Sequence, residues 1–258
     1  MKYVAVIVGV VALAALGGRP AVAQNVHDGL VAYWPLNESN GDTAADASGN
    51  GHDGTLLGDP AWGGGLFGGA LEFDGVEDEV VVPYDAALNP ETLTVCAWAN
   101  VEPGSAGAHR AILASRDDFP QRGYIFYAEP ADTWQYWIGV GAGGVTWNSV
   151  QGPAVEAGEW SHLTGVYANG EQRFYYNGEL VGEADAELNI NPEQDFLIGA
   201  SANELDPHLF MFVGLIDDVR LYNRELSEGD IAAVMEGEIA AVEPSGKAAV
   251  TWGRVKTN

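Results

Sequence analysis

Short runs of β-branched and aromatic residues, separated by clusters of Gly, Asn, Asp and Pro, recur along the chain from residue 30 to residue 222. Leu30-Val31-Ala32-Tyr33-Trp34 is the first, and residues 70–73, 79–82 and 93–98 follow, several alternating apolar with polar positions. A period of two marks a strand with one buried face. The same pattern predicts strands over 111–115, 124–128, 134–140, 160–167, 172–176, 196–199 and 210–222. Asn177-Gly178 predicts a hairpin, because both residues accept the positive φ of a type I′ turn. One helix is expected, with Ser227 as N-cap, Asp230 three residues on, and an apolar run from Ile231 to Met235. Many strands and one short helix mean an all-β protein, either a two-sheet sandwich or a barrel.

Lys2 and an apolar stretch from Tyr3 to Leu16 open the chain, and Ala21-Val22-Ala23 supplies a small-x-small cleavage pattern. The stretch is shorter than the roughly 20 residues a membrane span needs. Residues 1–23 are therefore expected to be a cleaved secretory signal, followed by one domain over 24–240 and a tail over 241–258. A secreted product with no membrane insertion after cleavage follows from that reading. Charge narrows the partners: 37 Asp+Glu against 11 Lys+Arg give a formal net charge of -26. Such a chain repels phosphate, which argues against nucleic acid and anionic lipid surfaces. The single cysteine, Cys96, excludes an intramolecular disulfide and a Cys-based zinc site. Val95 and Ala97 face away from it across the strand, and it reads as a small buried hydrophobe.

Six motifs in order resemble LamG-like jelly-roll domains of the concanavalin A-like lectin/glucanase group. They are the run from Gly29 to Glu38, the loop Asp46-Ala-Ser-Gly-Asn50-Gly-His-Asp-Gly54, Gly69 to Gly75, Thr92 to Trp98, Trp160 to Tyr167 with Phe174 to Gly178, and Gly214 to Ser227. The resemblance covers roughly residues 29–236 and implies a two-sheet antiparallel β-sandwich, the concanavalin A-like jelly roll, with one short C-terminal helix. On that fold Trp34, Phe73, Trp98, Trp160 and Tyr222 are expected in the core between the sheets. The fold serves lectins, adhesion modules and enzymes alike, so function rests on particular residues.

Three chemistries compete. Calcium takes oxygen ligands, and the loop offers Asp46 and Asn50; the resemblance implies that this loop approaches the last long strand, where Asp217 would complete a structural calcium site. Glu38 and Asp218 are further candidates. Carbohydrate recognition needs flat aromatic faces beside polar groups. The stretch 110–147 concentrates Tyr124, Phe126, Trp134, Tyr136, Trp137, Trp147 and Arg122. Trp134 and Trp147 adjoin turn-like segments and are expected to be more exposed than Trp137, so Trp134, Trp147, Tyr124 and Arg122 are the ligand candidates. The third chemistry is retaining glycoside hydrolysis, whose Glu-x-Asp-x-Glu spacing occurs as Glu183-Ala184-Asp185-Ala186-Glu187. Its fillers are alanines where those enzymes carry bulky hydrophobes. The five histidines show no zinc spacing; His162 reads as a packed strand residue, pointing away from its neighbour Ser161. The expectation is a secreted, non-catalytic module that binds an extracellular glycan or protein surface, with the glycosidase and a purely structural adhesion module as alternatives.

Overall fold

The computed structural model describes residues 25–141, 146–201 and 210–237, so the predicted signal and tail lie outside the described residues. In chain order the strands are β1 (Leu30–Trp34), β2 (Thr43–Ala44), β3 (Gly54–Leu57), β4 (Ala61–Gly64), β5 (Gly69–Asp74), β6 (Glu79–Val82), β7 (Leu93–Val101) and β8 (Arg110–Asp118). Then come β9 (Gln121–Ala128), β10 (Thr133–Gly139), β11 (Trp147–Ala154), β12 (Trp160–Ala168), β13 (Glu171–Tyr176), β14 (Glu179–Asp185), β15 (Phe196–Ile198) and β16 (Val213–Tyr222), followed by helix α1 (Glu228–Met235). Every strand predicted from periodicity is present, with shifted ends; residues 210–212 precede β16 instead of belonging to it.

The strands form two antiparallel sheets stacked as a sandwich. Sheet I runs β14-β13-β12-β7-β16-β5-β4, with β1 also paired to β16; sheet II runs β11-β10-β9-β8-β15-β6-β3-β2. Alternation explains the stacking. Leu71, Phe73, Val95, Ala97 and Ile216 of sheet I meet Val80, Ile112, Phe126, Trp134 and Phe196 of sheet II in one buried cluster. Trp34 stacks on Phe196 with ring centroids 5.0 Å apart, tying β1 to the opposite sheet. The other face of sheet I carries Cys96, Val166, Tyr175 and Tyr222, which pack under Ile231 and Val234 of α1. Cys96 is thus buried away from Val95 and Ala97, as its position in the strand predicts, and burial pushes its thiol pKa up to about 12, which leaves it unreactive.

Local signals hold where they were strong. Asn177 and Gly178 have φ of 48° and 80° and connect β13 to β14. Ser227 caps α1 by accepting from Asp230 N, while Asp230 accepts from Ser227 N, a complete capping box. Five strands escaped the period-two reading: β2, β3, β4, β11 and β14. Four of these, β14, β4, β11 and β2, are the terminal strands of the two sheets. An edge strand pairs on one side only and tolerates Gly and Pro, as in Trp62-Gly63-Gly64 of β4 and Gln151-Gly152-Pro153 of β11.

Candidate ligand-binding cleft

Sheet II turns one parity of its residues inward and the other outward. On β9, Tyr124 and Phe126 enter the core while Ile125 and Tyr127 face out; on β10, Trp134, Tyr136 and Ile138 enter while Trp137 faces out. Cross-strand pairing brings the outward side chains together, with Ile125 opposite Trp137 and Gly139 opposite Trp147. The result is a cleft of about 230 Å³ over β8 to β11, walled by Tyr127, Trp137, Trp147, Phe210 and His109, with Arg116 and Asp118 at its base.

The walls interlock edge to face. Tyr127 meets Trp137 at 5.5 Å and Phe210 at 5.6 Å, and the His109 ring lies 5.1 Å from Tyr127 and 5.7 Å from Phe210. Burial lowers the pKa of His109 in spite of nearby Glu129, so its ring is neutral near pH 7. Arg116, 7% exposed, donates through Nη1 to Tyr127 Oη and Ser201 Oγ, each at 3.0 Å, and ion-pairs with Asp118. Its guanidinium lies 5.2 Å from the Trp147 ring and 5.4 Å from the Phe210 ring.

Of the ligand candidates read from sequence, Trp147 lines the cleft and the other three do not. Trp134 is fully buried and Tyr124 is 1% exposed, donating from its hydroxyl to Leu88 O. The correction has a simple cause. β10 begins at Thr133, so the turn lies just outside Trp134, and strand parity sends Trp134 inward and Trp137 outward. Arg122 sits at the β8–β9 hairpin, where it pairs with Asp117 at 3.2 Å. His109, Arg116, Asp118, Tyr127 and Phe210 were not among the candidates. The outward parity of residues 125, 127, 135 and 137 was a usable signal for part of this set.

Most of the oxygens proposed for calcium are engaged within the protein, while Asp217 Oδ1 and Glu38 Oε2 are buried without a hydrogen-bond partner. Asp46 Oδ1 accepts from Tyr33 N and Ser48 N, and Oδ2 from Ser48 Oγ and His52 N, at 2.8–3.0 Å. Burial pushes its pKa up, but these hydrogen bonds outweigh it and hold the carboxyl below the usual range. Asn50 turns its amide nitrogen to Leu30 O and Val31 O. Asp217 Oδ2 accepts from Leu66 N and Phe67 N, fastening the β4–β5 turn to β16. Glu38 accepts from Ala45 N, and Asp218 pairs with Arg220 at 3.0 Å. Asp46 and Asp217 share no partner, and a carboxylate surrounded by four N–H and O–H donors does not fit a calcium ligand. Among the described residues, no group of three or more His, Cys, Asp or Glu is placed to hold a metal.

The three acids of the glycosidase motif lie at the other sheet. Glu183 and Asp185 stand exposed on the edge strand β14 and Glu187 follows it, while Ala184 and Ala186 pack toward the core. None of the three lines the aromatic cleft. His162 is buried, its ring 5.0 Å from Trp98 and its Nδ1 3.3 Å from Thr164 Oγ1; Ser161 points to Tyr176.

A two-sheet antiparallel sandwich of this kind is a jelly-roll domain, the class to which the fold assigns the chain. Residues 74–232 match the Laminin_G_3 family, described as the concanavalin A-like lectin/glucanases superfamily, and the chain belongs to that family. No curated protein matches it. Among solved structures it is similar to domain 4 of AbnA, a GH43 extracellular arabinanase from Geobacillus stearothermophilus in complex with arabinotriose. That likeness has 22% identity and a TM-score of 0.61, over 80% of this chain and 97% of the other. It is also similar to the binding domain of Paraclostridial Mosquitocidal Protein 1, at 14% identity and a TM-score of 0.66, over 83% of this chain. The botulinum neurotoxin serotype D binding domain matches at 16% identity and a TM-score of 0.65, again over 83% of this chain. The chain spans about half the length of both toxin structures, 53% of each. At such identities these likenesses establish the fold.

Proposed function

We propose that this chain is a secreted, non-catalytic module that binds a carbohydrate in the aromatic cleft of sheet II. One observation carries the reading: Trp137, Trp147, Tyr127 and Phe210 gather around a paired Arg116–Asp118 on the outward face of four strands. Aromatic faces pack against the C–H surfaces of a sugar, and polar edges bond its hydroxyls. The arabinanase domain solved with arabinotriose, similar in fold, supports the choice of ligand class.

Chemistry of the cleft favours binding over hydrolysis. Glycoside hydrolases set two carboxyl groups about 5–10 Å apart across the scissile bond. Here the lining residues include one carboxylate, Asp118, and it is paired with Arg116. Calorimetry of the full chain against a panel of oligosaccharides tests the reading. Trp147→Ala should weaken binding of any positive by about tenfold or more, since one stacked ring contributes roughly 1–3 kcal/mol. A folded Trp147→Ala protein with unchanged affinity would place the ligand elsewhere.

A further inference from the structure

We infer that the cleft selects uncharged glycans and rejects those bearing uronate, sialate or sulfate groups, an inference that rests on the carbohydrate reading above. The reason lies in how the site disposes of its only cation. Among the described residues lining the cleft, Arg116 is the one permanent positive charge. Its side chain is 5% exposed, its partner Asp118 is 13% exposed, and the two neutralise each other. Nη1 is already committed to Tyr127 and Ser201. Nε has no hydrogen-bond partner but is fully buried, so an anionic ligand finds no accessible guanidinium to grip, and the more accessible member of the pair is the carboxylate.

The remaining titratable groups point the same way. His109 is uncharged near neutral pH because burial lowers its pKa. Glu129 lies beside it, its carboxylate 3.9 Å from His109 Nε2. Asp117, next in sequence to Asp118, is tied to Arg122. Across the chain acids outnumber bases 37 to 11, so the long-range field repels anions as well. A cationic ligand fares no better. The Trp147 and Phe210 rings that would cage an ammonium already hold the Arg116 guanidinium at 5.2 and 5.4 Å. What remains is aromatic surface with polar edges, suited to a neutral pyranose or furanose.

The test is calorimetry of the full chain against matched pairs: neutral pentose and hexose oligosaccharides, and the same backbones carrying uronate or sulfate. The neutral member of a binding pair should be tighter by about tenfold or more, because like charges across an interface are strongly penalised. Raising salt from about 0.05 to 0.5 M should leave the neutral affinity within about twofold and tighten the anionic one, since screening relieves repulsion. Asp118→Asn should gain about tenfold for the anionic member by exposing the Arg116 charge. If that variant fails to fold, the salt series on the unaltered chain decides. Anionic glycans that bind as tightly as neutral ones, or whose affinity falls with salt, overturn the inference while leaving carbohydrate binding intact. Binding to neither class overturns the carbohydrate reading and this inference with it.

Discussion

Substituting Asp46 by Asn separates a hydrogen-bonded joint from a metal site. The Asp46 carboxylate accepts from two donors at each oxygen: Tyr33 N and Ser48 N at Oδ1, Ser48 Oγ and His52 N at Oδ2. It thereby ties the 46–52 loop to β1. An asparagine keeps one accepting oxygen and turns an N–H2 group toward two former donors. Hydrogen bonds to a charged group contribute about 1.5–3 kcal/mol each. Half of that set, reduced for the partial exposure of the loop, gives a loss of about 2 kcal/mol. For a domain of this size the melting midpoint should fall by about 4–8 °C. The pH dependence has a definite sign. The folded pKa of Asp46 is lowered from 3.8, so its contribution is present above that value and lost as pH falls through the folded one. The gap between the two proteins should therefore hold at neutral pH and close in acid. Scanning calorimetry with calcium, with EDTA and with neither completes the assay. Chelation should leave the midpoint of the unaltered chain in place. A midpoint that EDTA lowers, or an Asp46→Asn protein that melts with the unaltered chain at neutral pH, would refute the reasoning.

Three further substitutions probe the rest of the fold. Burial pushes Asp217 up to about 6 from 3.8, against the lowering effect of the Phe67 and Leu66 amides and with Asp218 beside it. Its folded pKa is raised, so its contribution to stability is fully present below 3.8 and lost as pH rises through about 6. Asp217→Asn should thus gain about 1–2 kcal/mol on the unaltered chain between pH about 4 and 7.5 in urea titrations, and parallel stability curves would contradict this. Trp134→Ala should cost about 3–5 kcal/mol of stability by emptying the core, while the folded protein keeps its ligand affinity within a few fold. Ser227→Ala should cost about 1 kcal/mol, measured by urea denaturation, through loss of the α1 capping box; no loss would show the cap to be redundant with the Arg224–Asp230 pair.

Much of this architecture was legible along the chain. The runs 79–82 and 93–98 declared strands, and both lie inside their sheets, where neighbours on each side and a facing sheet demand apolar side chains. Asn177-Gly178 and Ser227 with Asp230 declared a turn and a cap because their physics is complete within a few residues. The edge strands β4, β11 and β14 stayed hidden because a strand bonded on one side carries less hydrophobic constraint.

The site divides along the same line. Composition and spacing located the aromatic-rich stretch that walls the cleft, and Trp147 with it. Which aromatics face outward was decided by where each strand begins: a start at Thr133 sends Trp134 into the core and Trp137 to the cleft. Phe210 and Ser201 join the site from loops distant along the chain, and only the tertiary fold brings them to Arg116. The acids show the same limit. Asp46 and Asp217 looked like ligands for one ion, yet Asp46 accepts from amides of its own loop and of β1, and Asp217 from Leu66 and Phe67 of the β4–β5 turn. Sequence alone determined that alternating side chains would make an all-β fold, sandwich or barrel, and the resemblance of its motifs pointed to the sandwich. Tertiary structure alone decided parity, partners and charge neutralisation, because those depend on which atoms meet across strands far apart in the chain.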